Sequence, residues 1–425
     1  MQQKQVVQIK KQFPTRWEFK RLRILIISFS VLSLMACTVL VVVPETFPAV
    51  GAGTADFLRS VFGPEPVAQL ESLSFWLKDE INRIRFGAGG GEPQINFPGK
   101  TQATTENLIG TPSPEPQLRK TDQSNPVGTQ SQIPPVLEAT PTPMPPMGNV
   151  VNELPQIGWQ AFGPTPQNTP LMARTIVMVD PVRSFAGVAL VRIDLSRLAL
   201  HIMPGFIEPA HPSGIGKAIP NLGSIPQEDQ EKLVAAFNGG FKGVHGRYGM
   251  MVNGFTLLQP VEGLATIAYY QDGSVRIGTW GSDIFLTSDM VAFRQNCPPL
   301  IQAGQLNPAL STGTQKGWGF TNNSDITWRT GLGITQDGRY LIYAVGNGTD
   351  VKFLAEALQD AGAYNAMQLD INQYYAHFVT YTKGNDPATP AAGQWIIKRL
   401  LDQMNNDLDL FLAPYPRDFF YLTLR

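Results

Sequence analysis

The chain has 425 residues, of which 33 are basic and 34 acidic, so its length allows two or three domains and its net charge is close to zero. Seven of the basic residues lie within the first 23 positions, which leaves the rest of the chain net acidic and without a basic stripe. An acidic body lacks the positive surface that binding to a phosphate backbone requires, so nucleic acid is not an expected partner.

An uncharged stretch of twenty residues, positions 24–43, follows the basic N-terminal segment. At a rise of about 1.5 Å per residue, this length crosses a hydrocarbon layer of about 30 Å. We therefore predict a cytoplasmic tail at residues 1–23 and a transmembrane helix at residues 24–43 that contacts the lipid bilayer. Because the basic excess precedes the span, the remainder is expected outside the cytoplasm, on a single-pass protein of the cell membrane.

Two other interpretations of the apolar stretch are weaker. A secretory signal peptide has a shorter apolar region and a cleavage site of small residues, and neither is found here. The sequence Leu-Met-Ala-Cys, ending at Cys37, is typical of a bacterial lipoprotein, but the apolar run continues for six residues beyond it. The one other cysteine is Cys297, so no disulfide bond is predicted in the exported part of the chain.

Residues 44–86 are predicted to form a juxtamembrane segment with an amphipathic helix, because apolar residues recur at helical spacing between positions 67 and 86. Three roles stay open for this helix: it lies along the membrane surface, pairs with another helix, or acts as a solvent-facing spacer. Residues 87–171 are rich in Pro, Thr and Gly, a composition that buries too little apolar surface to fold. We predict a disordered linker here that holds the next domain away from the membrane.

Residues 172–425 alternate short apolar runs with turn residues, a pattern typical of β-strands. Asp272-Gly273 and Asp337-Gly338 each separate two such runs and predict tight hairpins, in which glycine supplies a positive φ. Asp350 is a predicted N-cap of a helix that extends to residue 360. Further strands are predicted at 175–179, 187–193, 198–203, 366–370 and 419–424, and a second helix at 394–406. The expected fold class is α+β, with a mixed, largely antiparallel β-sheet and a few packed helices.

Standard catalytic signatures are missing from this domain, and four scattered histidines lack the spacing of metal ligands. We therefore predict no metal site and no cofactor. Asp370 and Asn372 could bind a divalent cation, but two oxygen-bearing side chains are too few to predict a site.

Three segments nevertheless place polar residues or glycine where a strand should end. One apolar run stops at Asn238-Gly239-Gly240, where free backbone N–H groups could meet a ligand, or where the chain simply turns. Arg329 begins a hairpin strand and is suited to holding a phosphate or carboxylate group, although a surface salt bridge is the simpler interpretation. Asp370 ends a buried strand, a common position for a catalytic carboxylate, and could equally cap a loop.

In this order, the segments resemble the phosphodiester glycosidase family over roughly residues 174–425. The resemblance is carried by residues 238–241, 249–254, 297–301, 329–334 and 355–370. It implies an α+β fold, cleavage of a sugar-1-phosphate diester, and catalytic positions at Asn238, Arg329 and Asp370. From the glycine turn itself, we predict that Gly239 and Gly240 contact the substrate.

The sequence departs from the family after Asp370. The family usually continues with a glycine-rich loop there, whereas this chain has the polar residues Asn372, Tyr374 and His377 in the corresponding stretch. Tyrosine is suited to stacking on a sugar and histidine to moving protons, so we predict that these three residues bind substrate. The same stretch is also consistent with the start of another strand.

Three functions are consistent with these sequence features. The first is a membrane-anchored, extracytoplasmic glycosidase or phosphodiesterase that acts on a sugar-1-phosphodiester or an envelope glycan. The second is a catalytically inactive module of the same fold that binds a glycan or sugar-phosphate ligand. The third is a purely structural envelope protein, which an anchor and a long stalk would serve equally well.

Overall fold

The computed structural model describes residues 48–88, 94–98, 158–210, 215, 219–311, 317–319, 321–383 and 395–425. The predicted tail at 1–23, the predicted span at 24–43 and most of the predicted linker lie outside these ranges. No helix within the described ranges combines the length and the hydropathy of a bilayer-spanning segment.

The described residues contain four α-helices and eighteen strands. The helices are α1 (Pro48–Phe62), α2 (Pro64–Gly87), α3 (Gln227–Gln230) and α4 (Val351–Asp360). The strands are β1 (Gln160–Phe162), β2 (Met172–Val177), β3 (Val188–Asp194), β4 (Leu198–Met203), β5 (Leu233–Asn238), β6 (Met250–Val252), β7 (Phe255–Leu258), β8 (Ala265–Tyr270), β9 (Val275–Thr279), β10 (Met290–Gln295), β11 (Ile301–Gln302), β12 (Gln305–Leu306), β13 (Thr327–Ile334), β14 (Tyr340–Thr349), β15 (Asn365–Gln368), β16 (Phe378–Lys383), β17 (Trp395–Arg399) and β18 (Phe419–Leu424).

The strands form three sheets. The largest has the order β1-β2-β3-β14-β13-β15-β11-β12, and the two five-stranded sheets have the orders β7-β6-β10-β8-β9 and β17-β16-β5-β18-β4. Each ladder between these described strands is antiparallel, as for β13 with β14 and β13 with β15. The predicted α+β class with largely antiparallel sheets is confirmed.

The large sheet is covered on both faces. One face packs on the sheet that contains β5, where Tyr343 lies 5.0 Å from Phe378 between ring centroids. The other face packs on α4 through side chains such as Ile342 and Leu358. Because both faces are buried, its central strands are apolar on both sides, and any charged group there needs a specific partner.

Local signals placed several elements correctly. The hairpins β8–β9 and β13–β14 turn at Gly273 and Gly338, whose φ values are 81° and 70°. Asp350 caps α4 by accepting a hydrogen bond from the Phe353 N–H at 2.8 Å. The strand predicted at 419–424 is β18.

The helix predicted at 394–406 is wrong. This stretch begins with β17, Trp395–Arg399, which pairs with β16 along its whole length, for example Tyr381 with Ile397. Its apolar residues fit a helical face, but β16 offers an unpaired sheet edge whose backbone groups a strand satisfies and a helix does not.

Segments before residue 172 also join the fold. Ile95, within the predicted linker, is 3% exposed in the core, and the Gln94 N–H donates to the Phe185 carbonyl at 2.9 Å. β1 pairs with β2. The predicted juxtamembrane helix is α2, and it lies against the domain through a salt bridge of 2.6 Å between Asp79 and Arg183.

Candidate functional site

Four segments meet where β5 ends: the turn after β5, β13, the end of β15 and the start of β18. Gly239 accepts a hydrogen bond from the Asp370 N–H at 3.1 Å through its carbonyl and donates its own N–H to the Asp418 carbonyl at 3.1 Å. The Thr330 hydroxyl donates to the Asp370 carbonyl at 2.5 Å. These hydrogen bonds bring together Gly239, Thr330, Asp370 and Asp418, which belong to segments far apart in the chain.

Asn238 is buried and its amide is fully engaged by the protein. Its Oδ1 accepts from the Tyr343 hydroxyl at 2.9 Å and from the His377 N–H at 3.2 Å. Its Nδ2 donates to Thr330 Oγ1 at 3.0 Å. The amide therefore links β5 to β13 and β14 and holds the turn in place, which is a positioning role.

The backbone N–H groups that follow Asn238 also have protein partners. The Gly240 N–H donates to Asp418 Oδ2 at 3.0 Å, and the Phe241 N–H donates to Asn296 Oδ1 at 3.1 Å. The expectation that Gly239 and Gly240 offer free N–H groups is therefore wrong. Glycine is required for space instead, because a Cβ on Gly239 would lie 2.2 Å from Asp418 Oδ2.

Asp370 forms an ion pair with Arg417, at 2.6 Å between Oδ2 and Nη2. Both side chains are almost completely buried, and the second oxygen, Oδ1, accepts from the Asn372 N–H at 2.9 Å. Arg417 also donates to the Gly240 carbonyl at 3.0 Å and lies 4.4 Å from the Tyr375 ring centroid. This pair brings a carboxylate and a guanidinium directly against the glycine turn.

The charge of Arg417 is stabilised by its neighbours. Burial alone would lower the pKa of Arg417, but the carboxylates of Asp370 and Asp418 outweigh that effect and raise its pKa above the ordinary value. The guanidinium therefore stays positive across the whole accessible pH range, as an anion-binding group must.

A second buried ion pair, between Arg294 and Asp418, stabilises the turn. Arg294 is fully buried and donates through Nε to Asp418 Oδ2 at 2.8 Å and through Nη2 to the Phe241 carbonyl at 2.6 Å. Asn296 bridges from the turn to β15 by donating to the Gln368 carbonyl at 2.8 Å. These contacts fix the turn rigidly, so its carbonyl and the Asp370–Arg417 pair keep their relative positions.

Arg329 does not join the pair. Successive side chains of β13 alternate between faces, so Thr330 points toward Asn238 while Arg329 points to the face that α4 covers. It is fully buried and donates to the carbonyls of Trp318, Asn322 and Asp325 at 3.2–3.4 Å, while its Nε has no hydrogen-bond partner. Burial lowers the pKa of Arg329. The structure therefore does not bring Arg329, one of the three predicted catalytic positions, to the place where Asn238 and Asp370 meet.

The loop after Asp370 is a pair of tight turns. Asn372 accepts from the Tyr374 N–H at 2.9 Å through its side chain, so its amide oxygen is used within the loop. Tyr374 is half-buried with its ring 5.0 Å from that of Tyr375, and burial raises the pKa of Tyr374. Asn372 and Tyr374 therefore lie beside the ion pair at a partly open edge.

His377 lies in the interior and not at this edge. Its side chain is 1% exposed, packs 5.8 Å from the Phe411 ring, and neither ring nitrogen is in hydrogen-bond geometry with a partner. Burial, with the charge of Arg399, lowers the pKa of His377 to about 3, although the nearby Asp407 backbone opposes the shift slightly. The prediction that His377 contacts substrate is inconsistent with this enclosure, since a neutral, buried imidazole neither reaches a ligand nor carries a proton near neutral pH.

Sequence reasoning missed Arg417, Asp418, Arg294 and Asn296. A signal was present in each case, because charged or amide residues directly precede β18 and directly end β10. It is the same signal that identified Asp370, a polar residue at the boundary of a buried strand.

No group of three or more His, Cys, Asp or Glu side chains in the described part of the chain is arranged to hold a metal ion. A shallow cleft of about 380 Å³ lies elsewhere, between α2 and residues 182–185, and is lined by side chains such as Ile84 and Phe185. None of the polar groups described above lines this cleft. The hydrogen-bonded site around Asp370 is therefore the better candidate for a functional site.

The comparison with protein families confirms the predicted resemblance. Residues 231–370 match the phosphodiester glycosidase family, and all five segments that carry the resemblance lie inside this match. None of the curated proteins matches the chain.

Three solved structures are similar to this chain. The first is the zebrafish catalytic domain of N-acetylglucosamine-1-phosphodiester alpha-N-acetylglucosaminidase, auto-inhibited by its pro-peptide, with 17% identity, a TM-score of 0.37, and coverage of 63% of this chain and 87% of that one. The second is a hypothetical protein from Synechocystis, with 12% identity, a TM-score of 0.31, and coverage of 60% and 62%. The third is a protein from Burkholderia pseudomallei, with 10% identity, a TM-score of 0.26, and coverage of 56% and 74%.

Proposed function

We propose that this chain, whose residues 231–370 match the phosphodiester glycosidase family, hydrolyses a sugar-1-phosphodiester or a related envelope glycan. The observation that carries the proposal is the Asp370–Arg417 ion pair, held at 2.6 Å against the glycine turn. It combines an acid–base group with an anion-binding group, which are the two functions that cleavage of a sugar phosphodiester needs.

Each residue has a distinct role in the proposed reaction. Arg417 holds the anionic phosphate oxygens, taking the role that the sequence suggested for Arg329. Asp370 exchanges a proton with the reacting oxygen or orients the water that attacks. Asn238 positions the turn, and the half-buried edge at Asn372 and Tyr374 receives the sugar, where the tyrosine ring stacks on it.

The proposal places this site outside the cell membrane. The basic residues before position 24 and the uncharged run at 24–43 support a single-pass anchor with a cytoplasmic N-terminus. The acidic body supports a ligand other than nucleic acid.

A second candidate is a glycan-binding module without catalysis. It is favoured by the loop after Asp370, in which the N–H groups of Asn372 and Tyr374 donate to side chains of the loop itself. A glycine-rich loop could present such N–H groups to a phosphate, and this loop does not.

A substrate screen on the full chain distinguishes the two candidates. Sugar release from synthetic sugar-1-phosphodiesters is measured with and without chelator, for the wild type, Asp370→Asn and Arg417→Lys. Hydrolysis requires turnover in the wild type and a loss of at least about a hundredfold in both variants. Arg339→Lys, at an exposed surface pair 3.2 Å from Asp194, is the matched control and should keep full activity. Sugar binding without release in the wild type would support the binding module instead.

A further inference from the structure

The helical hairpin α1–α2 contacts the domain through polar side chains, and α2 also buries Val67 and Ala68. On α2, Asp79 accepts two hydrogen bonds from Arg183, at 2.7 and 2.6 Å, and is 6% exposed. Ser72 donates to Asp325 Oδ2 at 2.5 Å. These contacts fix the rotation of α2 about its axis, because rolling the helix over would remove Asp79 from its guanidinium.

The opposite side of the hairpin is apolar and faces outward. Leu70, Leu73, Leu77, Ile81 and Ile84 follow one another at intervals of three or four residues, so they form one stripe along α2, which at Ile84 reaches the open cleft beside residues 182–185. The large apolar side chains of the hairpin that are 38–65% exposed are Phe57, Val61, Phe62, Leu70, Leu73, Trp76, Ile81 and Ile84.

This arrangement differs from the usual one. A surface helix normally buries its apolar stripe against the protein and shows its polar face to water. Here Asp79 and Ser72 face the protein and the leucines face outward. A contiguous apolar surface of this kind marks a binding surface.

We propose that the apolar side of α1–α2 docks on the surface of a lipid bilayer. Only four residues separate the uncharged run at 24–43 from Pro48, where α1 begins. Four residues span at most about 14 Å, so a chain anchored by that run must hold α1 next to the headgroups. Lys78 and Arg85 lie seven residues apart along one flank of the stripe, as anionic headgroups favour.

Docking in this way would also orient the candidate site. Asp56 of α1 forms a salt bridge with Lys242, which directly follows the glycine turn at 239–241. Ser72 of α2 bonds Asp325, whose carbonyl accepts from Arg329. The hairpin thus contacts the loop that follows the glycine turn and the loop that precedes β13, and docking would hold the candidate site close to the membrane surface.

The test uses the full chain with Cys37→Ser, inserted into vesicles of phosphatidylcholine and phosphatidylglycerol. Spin labels are attached at Leu73→Cys and, as the matched exposed control on the body of the domain, at Leu286→Cys, which is 61% exposed. The remaining Cys297 is fully buried and does not react. Spin relaxation by oxygen, which partitions into lipid, is compared with relaxation by a water-soluble nickel complex.

We expect the label at position 73 to be relaxed mainly by oxygen and the label at position 286 mainly by nickel. Two outcomes overturn the proposal: nickel accessibility at position 73 equal to that at position 286, or shielding from both reagents with spin–spin broadening, which would indicate a second copy on the stripe. Flotation of the chain with the vesicles is measured first. If the chain does not float, both the predicted membrane anchor at residues 24–43 and the proposed docking of α1–α2 are overturned. None of these measurements depends on sugar hydrolysis, so a failure of the proposed catalytic function can be distinguished from a failure of the docking proposal.

Discussion

Replacing Arg417 by methionine tests the central ion pair. Asp370 is 4% exposed, so the substitution leaves its carboxylate buried without the guanidinium, while Oδ1 still accepts a hydrogen bond from the backbone N–H of Asn372 at 2.9 Å. Removing one partner of a buried pair costs about 3–5 kcal/mol, because the other charge stays buried and unpaired. For a domain of this size, that loss lowers Tm by roughly 6–20 °C. Urea unfolding at pH 7 measures the free energy of unfolding.

A second substitution separates the stability of the pair from its function. In Arg417→Met with Asp370→Asn no charge is left alone, so the double variant should recover about 0.5–3 kcal/mol relative to Arg417→Met. Sugar release should stay lost in both, because neither retains the anion-binding guanidinium.

The control is Arg183→Met, which breaks a pair of the same 2.6 Å length with Asp79, away from the site. It should lower stability and leave hydrolysis of a soluble substrate intact. If Arg417→Met unfolds at the wild-type urea concentration and releases sugar at the wild-type rate, the reasoning about this pair is refuted.

Three further predictions concern stability and use urea unfolding. Asp350→Ala removes the 2.8 Å hydrogen bond from the Phe353 N–H and should cost about 1 kcal/mol. Gly333→Ala places a Cβ 2.5 Å from the Ala363 Cβ and should cost about 1–3 kcal/mol, which adding Ala363→Gly should recover. Burial lowers the pKa of His377 from 6.5 to about 3, so between these pH values the unfolded chain binds the proton more readily than the folded protein does. The contribution of the neutral imidazole to the free energy of unfolding is therefore complete above pH 6.5 and falls as the pH drops toward 3. His377→Met should flatten this acid dependence. An unchanged urea midpoint for either of the first two variants, or an unchanged pH profile for the third, contradicts the corresponding prediction.

Elements whose signals lie within a few residues were predictable. The hairpins at Gly273 and Gly338 and the capped helix α4 depend on local φ angles and on one side chain bonding a nearby N–H, and the structure confirms them. The stretch at 394–406 was not predictable, because its apolar spacing suits both a helix and a strand. The edge of β16, which lies elsewhere in the sequence, decided for β17.

Asp370 was identified from the sequence because it ends a buried strand, but its partner was not. Arg417 lies 47 positions away, and only the pairing of β18 with β5 brings it to the carboxylate. Arg329 and its neighbour Thr330 point to opposite faces of β13. Which of the two faces meets α4 is decided by the packing of the sheet, and the sequence does not show it. Burial of His377 likewise depends on the packing of Phe411.

By itself, the sequence of this chain determined the family resemblance, the α+β class and the turns and caps, since these depend on residue order and short-range backbone chemistry. The tertiary structure alone decided which charges meet. It assigned Arg417 rather than Arg329 to Asp370, used the N–H groups of the glycine turn internally, and turned the apolar side of α2 outward. The physical reason is that the free energy of a buried charge depends on partners brought close by sheet pairing, and sequence separation does not encode that proximity.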